Sequence, residues 1–252
     1  MELSVDIKKA AYRRHAVLEN IRFTLSAGSF TAILGRNGSG KSTLLSCIAG
    51  LLPFEGTICA GGVDLATLSG RERARRIAVM LQQPRAPHIT VEELVCFGRR
   101  PYHTFGHDRP DALDLAKIEA AIHETALEPL RHRYVDTLSG GEQRRAHFAA
   151  MLAQDTPVVL LDESTAFMDA ENEARYLELA AAMQGQKTVL AVLHDLSAAV
   201  RYARRVIVLD KGTVCFDGTA AAFAASGIPE AVFHVRRYTA QDEHGEQALF
   251  FR

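Results

Sequence analysis

A glycine-rich segment with one lysine is the part of the chain best suited to hold phosphate. It reads Gly35-Arg36-Asn37-Gly38-Ser39-Gly40-Lys41-Ser42-Thr43, a full match to the G-x-x-x-x-G-K-S/T phosphate loop. Glycines let the backbone turn its N–H groups toward an anion, and a helix behind the loop adds positive potential. Lys41 can reach the β- and γ-phosphates of a nucleotide, and the Ser42 hydroxyl can ligate Mg²⁺. The competing interpretation is a glycine-rich turn with an incidental lysine.

Two acidic residues follow a second apolar run. Val158-Val159-Leu160-Leu161 is typical of a buried strand, and Asp162 and Glu163 come directly after it. The carboxyl ends of parallel strands are where such sheets bind ligands. A strand that simply ends in solvent would also explain one acid there. Together with the phosphate loop, the pair indicates a ligand-binding site at this end of the strand.

A serine followed by two glycines begins a helical pattern later in the chain. The segment reads Leu138-Ser139-Gly140-Gly141-Glu142-Gln143. Ser139 is a plausible N-cap, so a well-capped helix is one interpretation. Combined with the phosphate loop and the two acids, however, the chain resembles the ATP-binding subunit of an ABC (ATP-binding cassette) transporter. The resembling motifs extend over residues 12–194, which is most of the chain.

The resemblance implies a role for individual residues in binding ATP and Mg²⁺. Tyr12 would stack on adenine, residues 35–43 would hold the phosphates, and Asp162 would bind Mg²⁺ with Ser42 and Gln82. Glu163 would be the general base, with Gln82 at the attacking water and His194 at the γ-phosphate. The residues that would act across a homodimer, on the ATP held by the other copy, are Ser139, Gly140, Gly141 and Asp169.

Several of these assignments have simpler alternatives when the residues are taken singly. Gln83 adjoins Gln82, so the glutamine assignment could shift by one residue. An isolated histidine or tyrosine after a strand is more often structural. The chain also departs from the family pattern, with Ser164 where proline is usual and Ala166-Phe167-Met168-Asp169 where Ser-Ala-Leu-Asp is usual. The acids are retained, so we expect catalysis to survive.

Composition limits the classes of partner. The 252 residues carry a formal net charge of −1, which argues against general attraction to nucleic acid. No apolar run approaches the roughly 20 residues of a membrane helix, and residues 1–6 do not resemble a signal peptide. The four scattered cysteines are typical of reduced thiols. We therefore expect any membrane role to depend on a separate membrane partner.

Alternating strands and helices predict an α/β fold, and the resemblance implies a P-loop NTPase cassette with a mixed or parallel sheet. We expect a single domain over residues 1–252, with a core at about 1–83 and 155–252 and an inserted helical lobe at about 84–154. Strands are predicted at 17–25, 29–34, 77–81, 157–161, 188–193, 206–210 and 213–216, and residues 248–251 could add an edge strand. Helices are predicted at 42–49, 91–97, 113–127, 142–152, 170–183 and 196–203.

One further segment points to the class of transporter. Phe97-Gly98-Arg99-Arg100-Pro101-Tyr102-His103 resembles a segment of cassettes that drive uptake of ferric siderophores, haem and cobalamin. The resemblance implies an ATPase homodimer on the cytoplasmic face of the membrane, bound to permease subunits and acting indirectly with a substrate-binding protein. Importers for molybdate, manganese or zinc carry related cassettes. The alternative from another class is a soluble ABC ATPase of an assembly pathway, such as iron–sulfur cluster biogenesis.

Overall fold

The computed structural model describes residues 1–12, 15–80, 86–103, 110–162, 170–241 and 247–252, with the backbone alone at 170–173, 241, 247 and 248. The strands of these ranges are β1 Leu3–Tyr12, β2 His15–Leu25, β3 Phe30–Leu34, β4 Phe54–Ala60, β5 Val63–Asp64, β6 Ile77–Met80, β7 Val158–Asp162, β8 Thr188–Val192, β9 Arg205–Asp210, β10 Thr213–Thr219, β11 Arg237–Gln241 and β12 Gln247–Phe251. The helices are α1 Lys41–Ile48, α2 Gly70–Ala74, α3 Val91–Phe97, α4 Ala112–Glu124, α5 Gly140–Gln154, α6 Ala170–Ala182, α7 Leu196–Tyr202, α8 Ala220–Ala225 and α9 Ile228–Phe233.

The main sheet has six strands in the order β10-β9-β3-β8-β7-β6. The strands from β9 to β6 are parallel to one another, and β10 joins the edge antiparallel to β9. Every residue of β3, β7 and β8 is buried, as expected of parallel strands that are covered on both faces. Because β3 and β7 run in the same direction, the phosphate loop after β3 and Asp162 at the end of β7 lie at the same edge of the sheet.

A second sheet, which the sequence interpretation did not anticipate as a separate layer, contains β2-β1-β4-β5 in antiparallel order. Apolar side chains of this sheet, such as Val5 and Ile21, share one buried cluster with Leu44 and Leu45 of α1 and Ile33 of the main sheet. Helix α1 is thus packed against both sheets. Burial of about 1.5–3 kcal/mol per large apolar side chain fixes this helix, and with it the loop at its N-terminus.

Helices α3, α4 and α5 form a separate hydrophobic cluster, called here the helical lobe, with buried residues that include Val95, Ile122 and Ala149. Its helices begin with side-chain caps. Thr90, Asp111 and Ser139 each accept a hydrogen bond from the backbone N–H three residues later, while the acid at that position bonds back to the cap. Helix α3 has the bounds that the apolar spacing predicts.

The C-terminal residues form a hairpin rather than an edge of the main sheet. Strand β12 was expected as an edge strand, but it pairs with β11 in a sheet of two strands. Phe251 of this hairpin packs on Phe223 of α8, with ring centroids 6.2 Å apart. None of the helices in the described part of the chain is both long and apolar enough to cross a membrane.

Candidate nucleotide site

The phosphate loop connects β3 to α1 through a backbone that only glycine accommodates well. Gly35, Gly38 and Gly40 have φ angles of 155°, 80° and 102°, all in the region that side chains rarely adopt. A Cβ at residue 35 would lie 2.4 Å from the carbonyl oxygen of Leu209, and one at residue 40 would lie 2.5 Å from Cδ2 of Leu18. The glycines at 35 and 40 are therefore required both by backbone geometry and by close neighbours.

The N-terminus of α1 differs from those of the helices around it. Helices α2, α3, α4 and α5 each begin with a reciprocal capping box. Helix α1 begins after Gly40 with no side-chain cap and no acid in its first turn. The first N–H groups of a helix have no intrahelical partner, and together with the helix dipole they favour an anion. This uncapped end is what a phosphate-binding helix needs.

Lys41 is buried at the start of α1, with 6% of its surface exposed. Its Nζ donates hydrogen bonds to the carbonyl oxygens of Gly35 at 2.6 Å and Arg36 at 3.0 Å. Burial lowers the pKa of Lys41, and the nearby carboxylate of Asp162 partly opposes that shift. The loop's own carbonyls thus hold a buried ammonium group, with its charge beside the uncapped helix end.

Ser42 and Asp162 join the phosphate loop to the end of β7. Oγ of Ser42 donates to Oδ1 of Asp162 across 3.2 Å. Burial raises the pKa of Asp162, and the Ser42 bond together with the charges of His194, Lys41 and Arg144 opposes that shift. A hydroxyl and a carboxylate at this distance are hard oxygen donors, the ligands that Mg²⁺ prefers beside substrate phosphates.

His194 follows β8 and belongs to the same electrostatic cluster. Although its side chain stays exposed to solvent, partial burial and the charge of Lys41 lower its pKa, while Asp162 opposes the shift. A lowered pKa keeps the imidazole neutral near pH 7, so one ring nitrogen can donate a hydrogen bond and the other can accept one. Lys41, Asp162 and His194 therefore belong to one electrostatic cluster.

Two contacts to the phosphate loop were not foreseen from the sequence. The backbone N–H of Gly212 donates to the carbonyl of Ser39 at 3.1 Å, and the Gly212 carbonyl accepts from the N–H of Glu19 at 2.9 Å. Strands were predicted on either side of residues 211–212, but the contact of Gly212 with the loop was not. Arg36 also lies 3.3 Å from Nε2 of His234 at the end of α9, a pairing across 198 positions that no local pattern reveals.

Ser139 lies at the N-terminus of α5, where it caps the helix. Its Oγ donates to Oε2 of Glu142 at 2.9 Å, and its backbone N–H donates to the same carboxylate at 2.8 Å. In the part of the chain that the structure describes, its hydrogen bonds go to Glu142 and not to the phosphate loop. Ser139 and Gly140 are exposed and Gly141 is half-buried, so the start of α5 is open to a ligand from outside this copy.

The remaining predicted site residues divide into exposed, buried and undescribed positions. Tyr12 ends β1 with its side chain 51% exposed, which leaves a face of the ring free for stacking. Within the phosphate loop Arg36, Asn37 and Gly38 are exposed, whereas Ser39 and Thr43 are buried. The expectations for Gln82, with Gln83, and for Glu163, Ser164, Phe167, Met168 and Asp169 lie outside the described residues.

A cleft of about 280 Å³ lies between the helical lobe and β6, the edge strand of the main sheet. Its lining comprises Val79, Met80, Phe97, Gly98, His147, Ala150, Met151 and Gln154. Phe97 is 48% exposed there, and the Arg100 guanidinium lies 5.7 Å from the centre of its ring. The cleft is apolar with a few polar groups, so it suits an apolar or amphipathic segment of another protein.

Three charged residues in or just after α3, namely Glu92, Glu93 and Arg99, are already bonded within the chain. Glu92 accepts from Arg131 at 2.6 Å, and Glu93 closes the capping box of Thr90. Arg99 is only 4% exposed and is bonded to Asp114. Charge reversals at these positions would disrupt the helical lobe itself. Phe97 and Arg100 are the residues of the segment that remain exposed.

Known proteins of one family are similar to this chain over nearly its whole length. The profile of the family described as ABC transporter matches residues 18–166. The chain is 37% identical over 228 residues to the achromobactin transport ATP-binding protein CbrD of Dickeya dadantii, covering 89% of this chain and 84% of that protein. It is 37% identical to the ferric enterobactin transport ATP-binding protein FepC of Escherichia coli, with coverage of 89% and 84%. It is 35% identical to the hemin import ATP-binding protein HmuV of Rhodopseudomonas palustris, with coverage of 97% and 96%.

Solved structures have the same fold. An ATP-binding subunit of an ABC transporter superposes with a TM-score of 0.80 at 24% identity, covering 93% of this chain and 97% of that one. The bacterial cassette MJ0796, solved as a dimer, superposes with a TM-score of 0.77 at 25% identity, covering 87% of this chain and 99% of that one. The prediction of a P-loop cassette fold with a mixed sheet is confirmed.

Proposed function

Because the chain belongs to the ABC transporter family, we propose that it is the ATP-hydrolysing subunit of an importer for a ferric siderophore, haem or a related metal chelate. The observation that carries the nucleotide site is the hydrogen bond from Ser42 to Asp162 beside buried Lys41. The names of the relatives, which transport or import achromobactin, ferric enterobactin and hemin, support the substrate class and favour import over the assembly-pathway alternative.

ATP fits the site by the chemistry of its donors. The uncapped N-terminus of α1 offers N–H groups to the phosphates, and Lys41 can exchange its bonds to the loop carbonyls for bonds to phosphate oxygen. Tyr12 would stack on the adenine. Mg²⁺ would be held by Ser42 and Asp162, with Gln82 as a further ligand, and when bound it neutralises charge on the phosphates.

The chemical step needs a base beside the γ-phosphate. Glu163 directly follows Asp162, the last residue of β7, in the sequence, and this adjacency supports Glu163 as the base. We assign Glu163 to accepting a proton from the attacking water. The neutral imidazole of His194 would donate a hydrogen bond to the γ-phosphate while its other ring nitrogen accepts one.

The site would be completed by a second copy of the chain. Ser139, Gly140 and Gly141 at the start of α5 would bind the γ-phosphate held by the other copy, with Asp169 crossing between the copies. For this, the Ser139 hydroxyl would turn from the Glu142 carboxylate to phosphate oxygen. The dimeric state of the similar cassette MJ0796 supports this arrangement. ATP would then favour the closed dimer, because its γ-phosphate contacts both copies only in that state.

The cleft at Phe97 would receive a cytoplasmic helix of the permease, which places the subunit at the cytoplasmic face of the membrane without a span of its own. A substrate-binding protein would act on the other side of the permease. The cleft is lined by β6 on the core side and by α3 and α5 on the lobe side. A helix seated there would therefore move with both parts when ATP closes the dimer.

Uptake by reconstituted vesicles tests this proposal. The variant Phe97→Asp places a charge in the cleft, and we expect it to lower permease association and uptake about tenfold or more, because an unpaired charge in an apolar contact is costly. ATP binding by the isolated variant should equal that of the parent. The matched control is Leu115→Asp on α4, an apolar residue that is 52% exposed and outside the cleft.

The same preparations separate the two function classes. Detergent extracts should yield the chain together with integral-membrane subunits, and the vesicles should take up a ferric siderophore or haem in an ATP-dependent manner. Recovery with soluble assembly proteins alone, or normal uptake by the Phe97→Asp variant, would contradict the importer proposal.

A further inference from the structure

The residues that follow α3 form an unusually close contact with α5. Gly98 lies against the backbone of α5, where an added Cβ would be 2.1 Å from the carbonyl oxygen of Ala150. Only glycine allows α3 and α5 to approach this closely. The next residue, Arg99, therefore enters the interior of the helical lobe rather than solvent, and 4% of its surface remains exposed.

Arg99 forms a buried ion pair with Asp114 of α4. Its Nε donates to Oδ1 of Asp114 at 2.7 Å, and the carboxylate is 6% exposed at the side chain. The second oxygen, Oδ2, lies 2.8 Å from Nε2 of His103 and accepts from the backbone N–H of Asp111 at 3.2 Å. The carboxylate is thus fully bonded, which a buried charge requires if the pair is to be stable.

The same guanidinium reaches the C-terminal end of α5. Its NH1 donates to the carbonyl oxygen of Ala153 at 2.9 Å and lies 3.4 Å from that of Gln154. The last carbonyls of a helix lack intrahelical donors and carry partial negative charge, so a cation there is favourable. Helix α5 is therefore fixed by Arg99 at one end, while Ser139 caps the other end.

This end of α5 is also tied to the core. Nε2 of Gln154 donates to the carbonyls of Ala74 at 2.5 Å and Ile77 at 3.3 Å. Arg75, the residue after α2, donates to the carbonyl of Pro101 at 2.7 Å, and the Tyr102 ring lies 4.0 Å from the Arg99 guanidinium and 5.5 Å from that of Arg75. The end of α5 is thus the point where the lobe is attached to the core.

We propose that Arg99 is a positioning residue of the ATPase: by holding α4 and the C-terminal end of α5 together, it orients Ser139 for the nucleotide bound to the other copy. The inference rests on the proposed two-copy site. Arg99 adjoins Phe97 and Gly98 in the cleft, so a permease helix that moves this segment also moves α5. Arg99 acts through α5 and does not touch the nucleotide.

The two functions of the guanidinium can be separated by substitution. A guanidinium offers Nε and NH1 to two separate acceptors in a rigid fork, whereas lysine carries all its donors on one atom, so we expect lysine not to hold Asp114 and the carbonyl of Ala153 in the same geometry. The double variant Arg99→Lys/Asp114→Glu lengthens the acid as it shortens the base. It should restore the ion pair without restoring the bond to α5. The melting temperature and the ATP-driven dimerisation of this double variant can then be compared, because only the second should depend on the bond to α5.

The experiment uses the full chain with Glu163→Gln, in which ATP is bound without being hydrolysed, and follows ATP-driven dimerisation by sedimentation. We expect Arg99→Lys to raise the ATP concentration at half-dimerisation about tenfold, the effect of losing one charged hydrogen bond. Nucleotide affinity of the monomer should stay within about twofold of the parent, because the phosphate loop is untouched. The double variant should recover much of the melting temperature that Arg99→Lys loses, but not the dimerisation of the parent.

A matched control comes from Arg205, which also joins a carboxylate and a backbone carbonyl. It bonds to Asp217 at 2.7 Å and to the carbonyl of Thr24 at 2.5 Å, in the core and away from α5. Arg205→Lys should leave dimerisation unchanged. If Arg99→Lys does not fold, Asp114→Asn keeps the shape of the acceptor and should weaken dimerisation about threefold with nucleotide affinity retained.

The outcomes distinguish the two proposals. A Glu163→Gln chain that forms no dimer in ATP contradicts the shared site, and the role of Arg99 with it. A dimerising parent whose Arg99→Lys variant dimerises equally well, or whose double variant recovers dimerisation together with stability, contradicts the role of Arg99 alone.

Discussion

Lys41 is a charged residue that is almost completely buried. Its Nζ donates hydrogen bonds to the carbonyls of Gly35 and Arg36, which are acceptors of the loop itself. Those bonds compensate for burial, so the loop is preorganised for an anion without collapsing. The residue is consequently expected to contribute mostly to binding the β- and γ-phosphates.

We predict that Lys41→Ala abolishes measurable ATP hydrolysis and weakens nucleotide binding at least tenfold, since each lost charged hydrogen bond contributes about 1.5–3 kcal/mol. Binding of a fluorescent ATP analogue and hydrolysis in the assembled transporter measure the effect. Lys8→Ala, at an exposed position of β1, is the control and should behave as the parent. Hydrolysis at the parent rate by the Lys41 variant would show that the loop assignment is wrong.

Asp114 supplies a second prediction at the scale of single residues. Burial alone would raise the pKa of this carboxyl, but the bonds from Arg99, His103 and Asp111 outweigh burial and lower it. A lowered folded-state pKa stabilises the fold above the unfolded pKa of about 3.9 and ceases to do so as the pH falls through the folded-state value.

Asp114→Asn should therefore cost about 3 kcal/mol of unfolding free energy near neutral pH, the loss expected for a broken buried pair. The difference between parent and variant should shrink as the pH falls below about 4. Denaturant unfolding at pH 7 and at successively lower pH measures it. A difference that stays constant to the acid limit of folding would mean that the carboxylate charge is not what stabilises the lobe.

At the scale of elements, the close packing of α3 on α5 depends on the absence of one methyl group. We predict that Gly98→Ala destabilises the chain by about 1–3 kcal/mol, because the added Cβ would meet the Ala150 carbonyl and force the helices apart. Gly70→Ala is the control: a Cβ there meets nothing within 4 Å, and alanine is the better helix former. Equal melting temperatures for the Gly98 variant and the parent would contradict the packing described here.

Local patterns predicted most elements but not their partners. The spacing of apolar residues predicted the bounds of α3, and the glycine-rich segment predicted the loop between β3 and α1. Strand β1 was overlooked, although Leu3, Val5 and Ile7 alternate with exposed or half-buried residues and could have revealed it. Residues 248–251 were expected at the edge of a larger sheet, because a strand pattern does not say which strand it pairs with. The Arg99–Asp114 pair joins two helices, and no periodicity within either helix could indicate it.

At the scale of the whole molecule, the proposed ATP site would be divided between two copies of the chain. Lys41 lies in the core, and the hydrogen bonds of Ser139 stay within the first turn of α5. The two-copy arrangement came from the resemblance to a family and not from residue spacing. It could not have been derived from the packing of one copy, because in the proposed arrangement the two halves would meet only between two molecules.

A crosslink between copies tests that arrangement. Cysteine at 139 in one copy and at 37 in the other should be joined by a short bis-maleimide when ATP is present, in the Glu163→Gln chain. Asn37 is chosen because it is exposed, whereas Ser39 is buried. Cys59, Cys96 and Cys215 would be replaced by serine, and Cys47 can remain, because burial raises the pKa of its thiol to about 11. The shared site would be contradicted if a mixture of the two cysteine variants dimerises in ATP but forms no crosslink between residues 37 and 139, while cysteines placed elsewhere do crosslink.

The lack of a side-chain cap on α1 bears on how stable the protein is in the cell. A serine or aspartate at residue 40 would satisfy the helix end and add about 1 kcal/mol of stability, but the φ of 102° at Gly40 and the nearby Leu18 prevent it. A bound ligand at one hundred times its Kd adds about 2.7 kcal/mol instead. The nucleotide is thus the end group that the helix lacks. The protein's resistance to heat and proteolysis should rise with nucleotide concentration. Its lifetime in the cell would then depend on the supply of ATP.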